Sequence, residues 1–159
     1  PDPEFNQPIC HPHPPIIYDP PPSECPTYYP PLPPITYNEP DLDNYSLKEV
    51  LDRGIFHLDS EEYSDAIKCF NHLLKNDPLD FEVLTLRGRA YHGLELFDKA
   101  KKDFQKAIKI EKSYADAYYY LGLTEIELGD IDEAKVDFEI AAELGHEKAT
   151  KLMQKYFNQ

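Results

Sequence analysis

FEVLTLRGRAYHGLELFDKAKKDFQKAIKIEKSY, residues 81–114, decides the fold once its neighbours are laid beside it. The 34 residues before it read LKEVLDRGIFHLDSEEYSDAIKCFNHLLKNDPLD (47–80), and the 34 after it read ADAYYYLGLTEIELGDIDEAKVDFEIAAELGHEK (115–148). Gly54, Gly88 and Gly122 fall into one column, as do Ala66, Ala100 and Ala134, and as do Phe70, Phe104 and Phe138. A fixed period of this length means stacked helical hairpins, each burying its apolar face against the next, and such arrays present a binding surface more often than a catalytic pocket.

Each copy has a glycine in its first half and Ala-x-x-x-Phe-x-x-(Leu/Ala) in its second, as in Ala100, Phe104 and Ala107. The stripe Ala66, Ile67, Phe70, Leu73, Leu74 has helical spacing, repeated as Ala100, Phe104, Ala107, Ile108 and as Ala134, Phe138, Ala141. On these residues the segment 47–148 resembles the tetratricopeptide repeat (TPR) family, with Val50, Leu84 and Tyr118 where the family favours Trp, and with the closing proline kept only at Pro78. The resemblance implies an all-α fold: a right-handed solenoid of three hairpins (47–80, 81–114, 115–148). Residues 149–159 are expected to form a C-terminal capping helix, with Ala149, Leu152, Met153 and Tyr156 on one face and Lys148, Lys151 and Lys155 outside. Core packing explains the aromatic stripes without a cofactor.

Composition changes sharply near residue 46. Residues 1–46 hold 15 of the 16 prolines and seven acidic residues, with no Lys or Arg. Residues 1–5 match a cloning remnant. Residues 6–46 form an extended, polyproline-like acidic arm. The arm also carries Tyr28, Tyr29, Leu32 and Ile35 in the run YYPPLPPI, so it reads either as a spacer or as a segment docking those side chains in a groove. The formal net charge of −14 argues against nucleic-acid binding and against direct binding to an anionic membrane. No apolar run is long enough to span a bilayer, which gives the expectation of a soluble chain, in a cytoplasm or, if a signal or anchor lay upstream, a bacterial envelope.

Catalytic apparatus is missing from the motifs. There is no Gly-rich phosphate loop, no His-Glu-x-x-His helix and no Gly-x-Ser-x-Gly elbow, so neither catalytic residues nor cofactors are expected. His57, His72 and His92 fall in different helices and read as packing or surface residues. Cys10-His11-Pro12-His13 with Cys25 leaves three readings open: free thiols, a Cys10–Cys25 bridge, or a zinc site without a recognised finger spacing. No metal site is expected overall. Cys69 reads as a small buried hydrophobe.

The resemblance implies that the first helix of each repeat lines the concave face. The candidate groove residues are Leu51 and Ile55, then Thr85, Arg89 and His92, then Tyr119, Leu123 and Ile126, with Arg89 and Tyr119 as anchors. Such a groove would bind a protein or an extended peptide rich in Pro and aromatic residues, the arm itself included. A structural role, in which the arm or the repeat ends drive homo-oligomerisation, is the alternative. Some family members clamp a C-terminal Glu-Glu-Val-Asp tail using Lys and Asn in the first repeat, Asn in the second, and Lys and Arg in the third. Leu51, Ile55, Leu86, Asp116 and Tyr120 occupy those places here. The expectation drawn from them is that chaperone tails of this kind are not ligands.

Overall fold

The computed structural model describes residues 41–156. The expectations placed on the cloning remnant, the arm, its docking residues Tyr28, Tyr29, Leu32 and Ile35, and the pairing of Cys10 with Cys25 lie outside the described residues. Within them, a short 3-10 helix, Leu42–Asn44, leads into seven α-helices and no strand. These are α1 (Leu47–Asp59), α2 (Tyr63–Asn76), α3 (Phe81–Gly93), α4 (Phe97–Ile110), α5 (Ala115–Leu128), α6 (Ile131–Glu143) and α7 (Glu147–Tyr156).

The helices pair in order, α1 with α2, α3 with α4 and α5 with α6, and each hairpin packs on the next through α2–α3 and α4–α5. First helices also touch one another, α1 to α3 and α3 to α5, while α7 closes the array on α6. This is an all-α solenoid of helical hairpins. Its first helices form one continuous wall.

The repeated glycines explain the tight pairing. A Cβ on Gly54 would stand 2.6 Å from Phe70 Cε1, one on Gly88 2.6 Å from Phe104 Cε1, and one on Gly122 2.9 Å from Phe138 Cε1. Each glycine thus admits the phenylalanine of its own hairpin, and all three rings are wholly buried. Ala66, Ala100 and Ala134, at 0 % exposure, let the second helices sit close in the same way.

Local signals set the helix ends. Ser46 and Glu49 form a reciprocal capping box at the start of α1, and Asp80 accepts from the Val83 amide at 3.0 Å to cap α3. The turn inside each hairpin places Glu61, Glu95 and Gly129 at the same position, with φ of 62°, 59° and 87°. Only the third repeat puts a glycine where the backbone is left-handed.

Candidate functional site

Half-buried side chains on the wall of first helices surround an open depression of 190 Å³, lined by Leu58, Tyr63, Arg89, His92, Gly93, Tyr120 and Leu123. Residues from all three hairpins meet there. The Tyr63 ring reaches from α2 to lie against Gly93, where an added Cβ would fall 2.4 Å from Tyr63 Cζ. A larger residue at 93 would push that ring out of its place.

Arg89 lies in the depression with its guanidinium 4.9 Å from the centre of the Tyr120 ring. Among the described residues it has no carboxylate in salt-bridge range. Its neighbour Arg87 is quite different. Arg87 Nε and Nη2 donate to Asp103 Oδ2 and Oδ1, both at 2.7 Å, and Nη1 donates to Asn71 Oδ1 at 2.7 Å. That guanidinium ties α2, α3 and α4 together, whereas among the described residues none accepts a hydrogen bond from the one at position 89.

His92 Nδ1 is 3.1 Å from Thr124 Oγ1, which itself donates to the Tyr120 carbonyl at 2.8 Å. Burial holds the His92 imidazole below its ordinary range, with Glu127 acting weakly the other way. Nearby, burial pushes the Tyr114 phenol up to about 12; Asp116 and Glu82 add to the shift, and Arg89 opposes it. The depression therefore presents aromatic and aliphatic walls with one guanidinium and an imidazole whose protonation burial disfavours.

The structure sorts the residues expected to line the groove. Arg89, His92 and Leu123 come together in the depression. Leu51 and Ile55 are half-buried, Leu51 packing on the first core cluster, and Ile126 packs on the cluster that contains Phe138. Thr85 is 2 % exposed and its hydroxyl donates to the Phe81 carbonyl at 2.9 Å, so a ligand on the surface does not reach it. Tyr119 stacks on His146 at 4.2 Å and lies 5.9 Å from Phe138, so its ring is engaged between α5 and the α6–α7 corner. Tyr63 and Tyr120 were missed as lining residues. Tyr63 belongs to a second helix, outside the first-helix pattern, and Tyr120 stands at a position whose sequence signal is only its departure from the clamp.

The tetratricopeptide repeat family profile matches residues 51–110, and a second profile of the same repeat matches 103–136. The second TPR domain of Spaghetti (RPAP3), bound to the HSP90 peptide SRMEEVD, superposes with a TM-score of 0.59 at 30 % identity, over 62 % of this chain and 91 % of that one. The chain belongs to the tetratricopeptide repeat family. As a TPR array it is a non-enzymatic interaction domain.

Other relatives agree. The first TPR domain of Spaghetti (RPAP3), with the same peptide, gives a TM-score of 0.64 at 29 % identity over 69 % of this chain and 88 % of that one. The second TPR domain of human RPAP3, in complex with the HSP70 peptide SGPTIEEVD, gives 0.61 at 28 % identity over 69 % and 97 %. Among curated proteins, anaphase-promoting complex subunit 3 of Schizosaccharomyces pombe is 35 % identical over 83 residues, 52 % of this chain but 12 % of that protein. RNA polymerase II-associated protein 3 of Homo sapiens is 29 % identical over 103 residues, 65 % of this chain and 16 % of its own length. The chain thus spans a small part of the curated relatives it matches.

These neighbours correct one expectation. The exclusion of Glu-Glu-Val-Asp tails does not stand, because similar TPR domains are solved with peptides of that kind. The exclusion assumed that the five clamp positions are the sole means of holding a terminal carboxylate. Leu51, Ile55, Leu86, Asp116 and Tyr120 differ from that clamp, yet the wall still offers the guanidinium of Arg89, which no carboxylate among the described residues neutralises. Among the described residues no helix is long and apolar enough to cross a membrane, and no group of three or more metal-ligating side chains assembles.

Proposed function

We propose that this TPR array binds a short, extended, acidic peptide along its wall of first helices. Arg89 receives a carboxylate, and Leu58, Tyr63, Tyr120 and Leu123 hold the neighbouring apolar groups. The observation that carries this reading is the uncommitted, half-buried guanidinium of Arg89 above Tyr120. Planar guanidinium donors pair with a carboxylate in two-pronged fashion, and stacking on an aromatic ring holds the fork in place. Peptides ending in Glu-Glu-Val-Asp, bound by structurally similar domains, supply the ligand class.

A second reading rests on the walls rather than the cation. Two tyrosines and two leucines suit a Pro- and aromatic-rich segment, whose polyproline helix loses little entropy on docking. Fluorescence-polarisation titrations with labelled SRMEEVD, its C-terminal amide, and YYPPLPPI separate the two. The acidic reading expects SRMEEVD to saturate and Arg89→Ala to weaken it by about 10–100-fold, the range of an interface anchor. Equal binding by wild type and Arg89→Ala would remove Arg89 from the site. Preference for YYPPLPPI would assign the site to its apolar walls.

A further inference from the structure

Outside the depression lies a group of ionisable residues that the peptide site does not use. Glu125 is 4 % exposed. Its Oε1 takes Lys101 Nζ at 3.0 Å, and the same ammonium reaches Asp130 Oδ2 at 3.1 Å. The other oxygen, Oε2, is buried with no donor among the described residues. A bare carboxylate oxygen in that position is costly unless a proton fills the gap. Asp137 on α6 is half-buried, and its carboxyl lies beside that of Glu125. Two neighbouring carboxyl groups can hydrogen-bond to each other only when one is protonated.

The second repeat supplies an internal comparison. Asp103 holds the position 34 residues before Asp137, and there Arg87 neutralises it through two hydrogen bonds of 2.7 Å. The residue 34 after Arg87 is Leu121, which is buried and apolar. The third repeat has the acid without that cation, and Glu125 faces the acid instead. We propose that Asp137 and Glu125 share a proton that fastens α6 to α5, making the third hairpin a pH-sensitive element.

The groups acting on Asp137 come from two neighbouring helices. From α5, Glu125 favours the protonated form, and the Tyr118 phenol is itself raised by burial first and by Asp137 second. From α4, Lys101 favours the ionised form of Asp137, but its ammonium is already divided between Glu125 and Asp130. Helix α7, which also packs on α6, adds no ionisable group to this set. Burial and Glu125 outweigh Lys101, and the Asp137 carboxyl is raised from 3.8 to about 7.

The direction of the pH effect follows. Between those two values the folded chain holds one proton more than the unfolded chain, so stability falls as pH rises and levels off once the folded carboxyl has ionised. His92 and His146, both held low by burial, act oppositely, since the unfolded chain takes up their protons first.

The test measures urea unfolding of the wild-type chain and of Asp137→Asn from about pH 5 to 8.5, and reads the wild-type carboxyl carbons by NMR over the same range. The ratio of the two unfolding constants, wild type over variant, should rise by up to about tenfold per pH unit on the acid side and flatten above neutrality. The histidines cancel in that ratio. The Asp137 carboxyl should titrate near neutral pH. A ratio independent of pH, or an Asp137 carboxyl that titrates near pH 4, overturns the proposal. The NMR reading decides by itself if Asp137→Asn does not fold.

Discussion

Gly88 shows how much of this fold rests on single atoms. Its missing Cβ is the space taken by the Phe104 ring, whose Cε1, Cζ and Cδ1 would lie 2.6, 2.9 and 3.0 Å from an added carbon. Gly88→Leu is therefore expected to separate α3 from α4 and to cost about 1–3 kcal/mol or more, because the ring is wholly buried and has nowhere to turn. Thermal unfolding by circular dichroism checks it; an unchanged melting temperature would deny the close approach. The same scale decides which groove candidates a ligand can meet. Thr85 and Arg89 are one helical turn apart on α3, yet Thr85 is 2 % exposed while Arg89 opens into the depression. The sequence pattern put both on one face. It could not show that one of them is covered in the folded array.

At the scale of the element, the turns inside the hairpins carry an uneven strain. Glu61 and Glu95 have φ of 62° and 59°, whereas Gly129 fills the matching place in the third hairpin. A side chain in that region costs about 1 kcal/mol or more relative to glycine. Glu95→Gly should thus raise the stability of the α3–α4 hairpin by roughly 0.5–1 kcal/mol, partly offset by the greater freedom of an unfolded glycine. Gly129→Glu should lower that of α5–α6 by a similar amount. Paired urea titrations check both signs, and a shift in the same direction for both variants would contradict the argument. The period of 34 residues was visible in the glycines and phenylalanines, but the left-handed turn was not: two of its three positions are glutamates, which give no such signal.

Across the whole molecule, the array is a one-dimensional stack whose ends must be covered. Helix α7 does this at one end, where Ala149 and Met153 join Ala134, Phe138 and Ala141 in one buried cluster. Removing residues 147–159 would expose that cluster and leave His146, the stacking partner of Tyr119, at the end of the chain. The shortened chain should lose more helix than α7 alone contains, with fraying of α6, because nearest-neighbour contacts supply most of a repeat's stability. Far-UV circular dichroism at matched concentration measures this, and a loss no larger than one helix would mean that the third hairpin stands without its cap.

The sequence by itself determined the repeat, its length, the hairpins and the capping helix. Those follow from which residues are small, which are aromatic and how far apart they stand, and these are properties of the chain read in order. Tertiary structure alone decided what the surfaces present. Tyr63 and Tyr120 enter the depression because α2 and α5 bring them there from different repeats, and Arg87 is spent on Asp103 while Arg89 is not. The pairing of Asp137 with Glu125 is likewise a matter of two helices meeting. Spacing along a chain fixes which face a residue is on, but the charge and partners of a side chain depend on what folds against it.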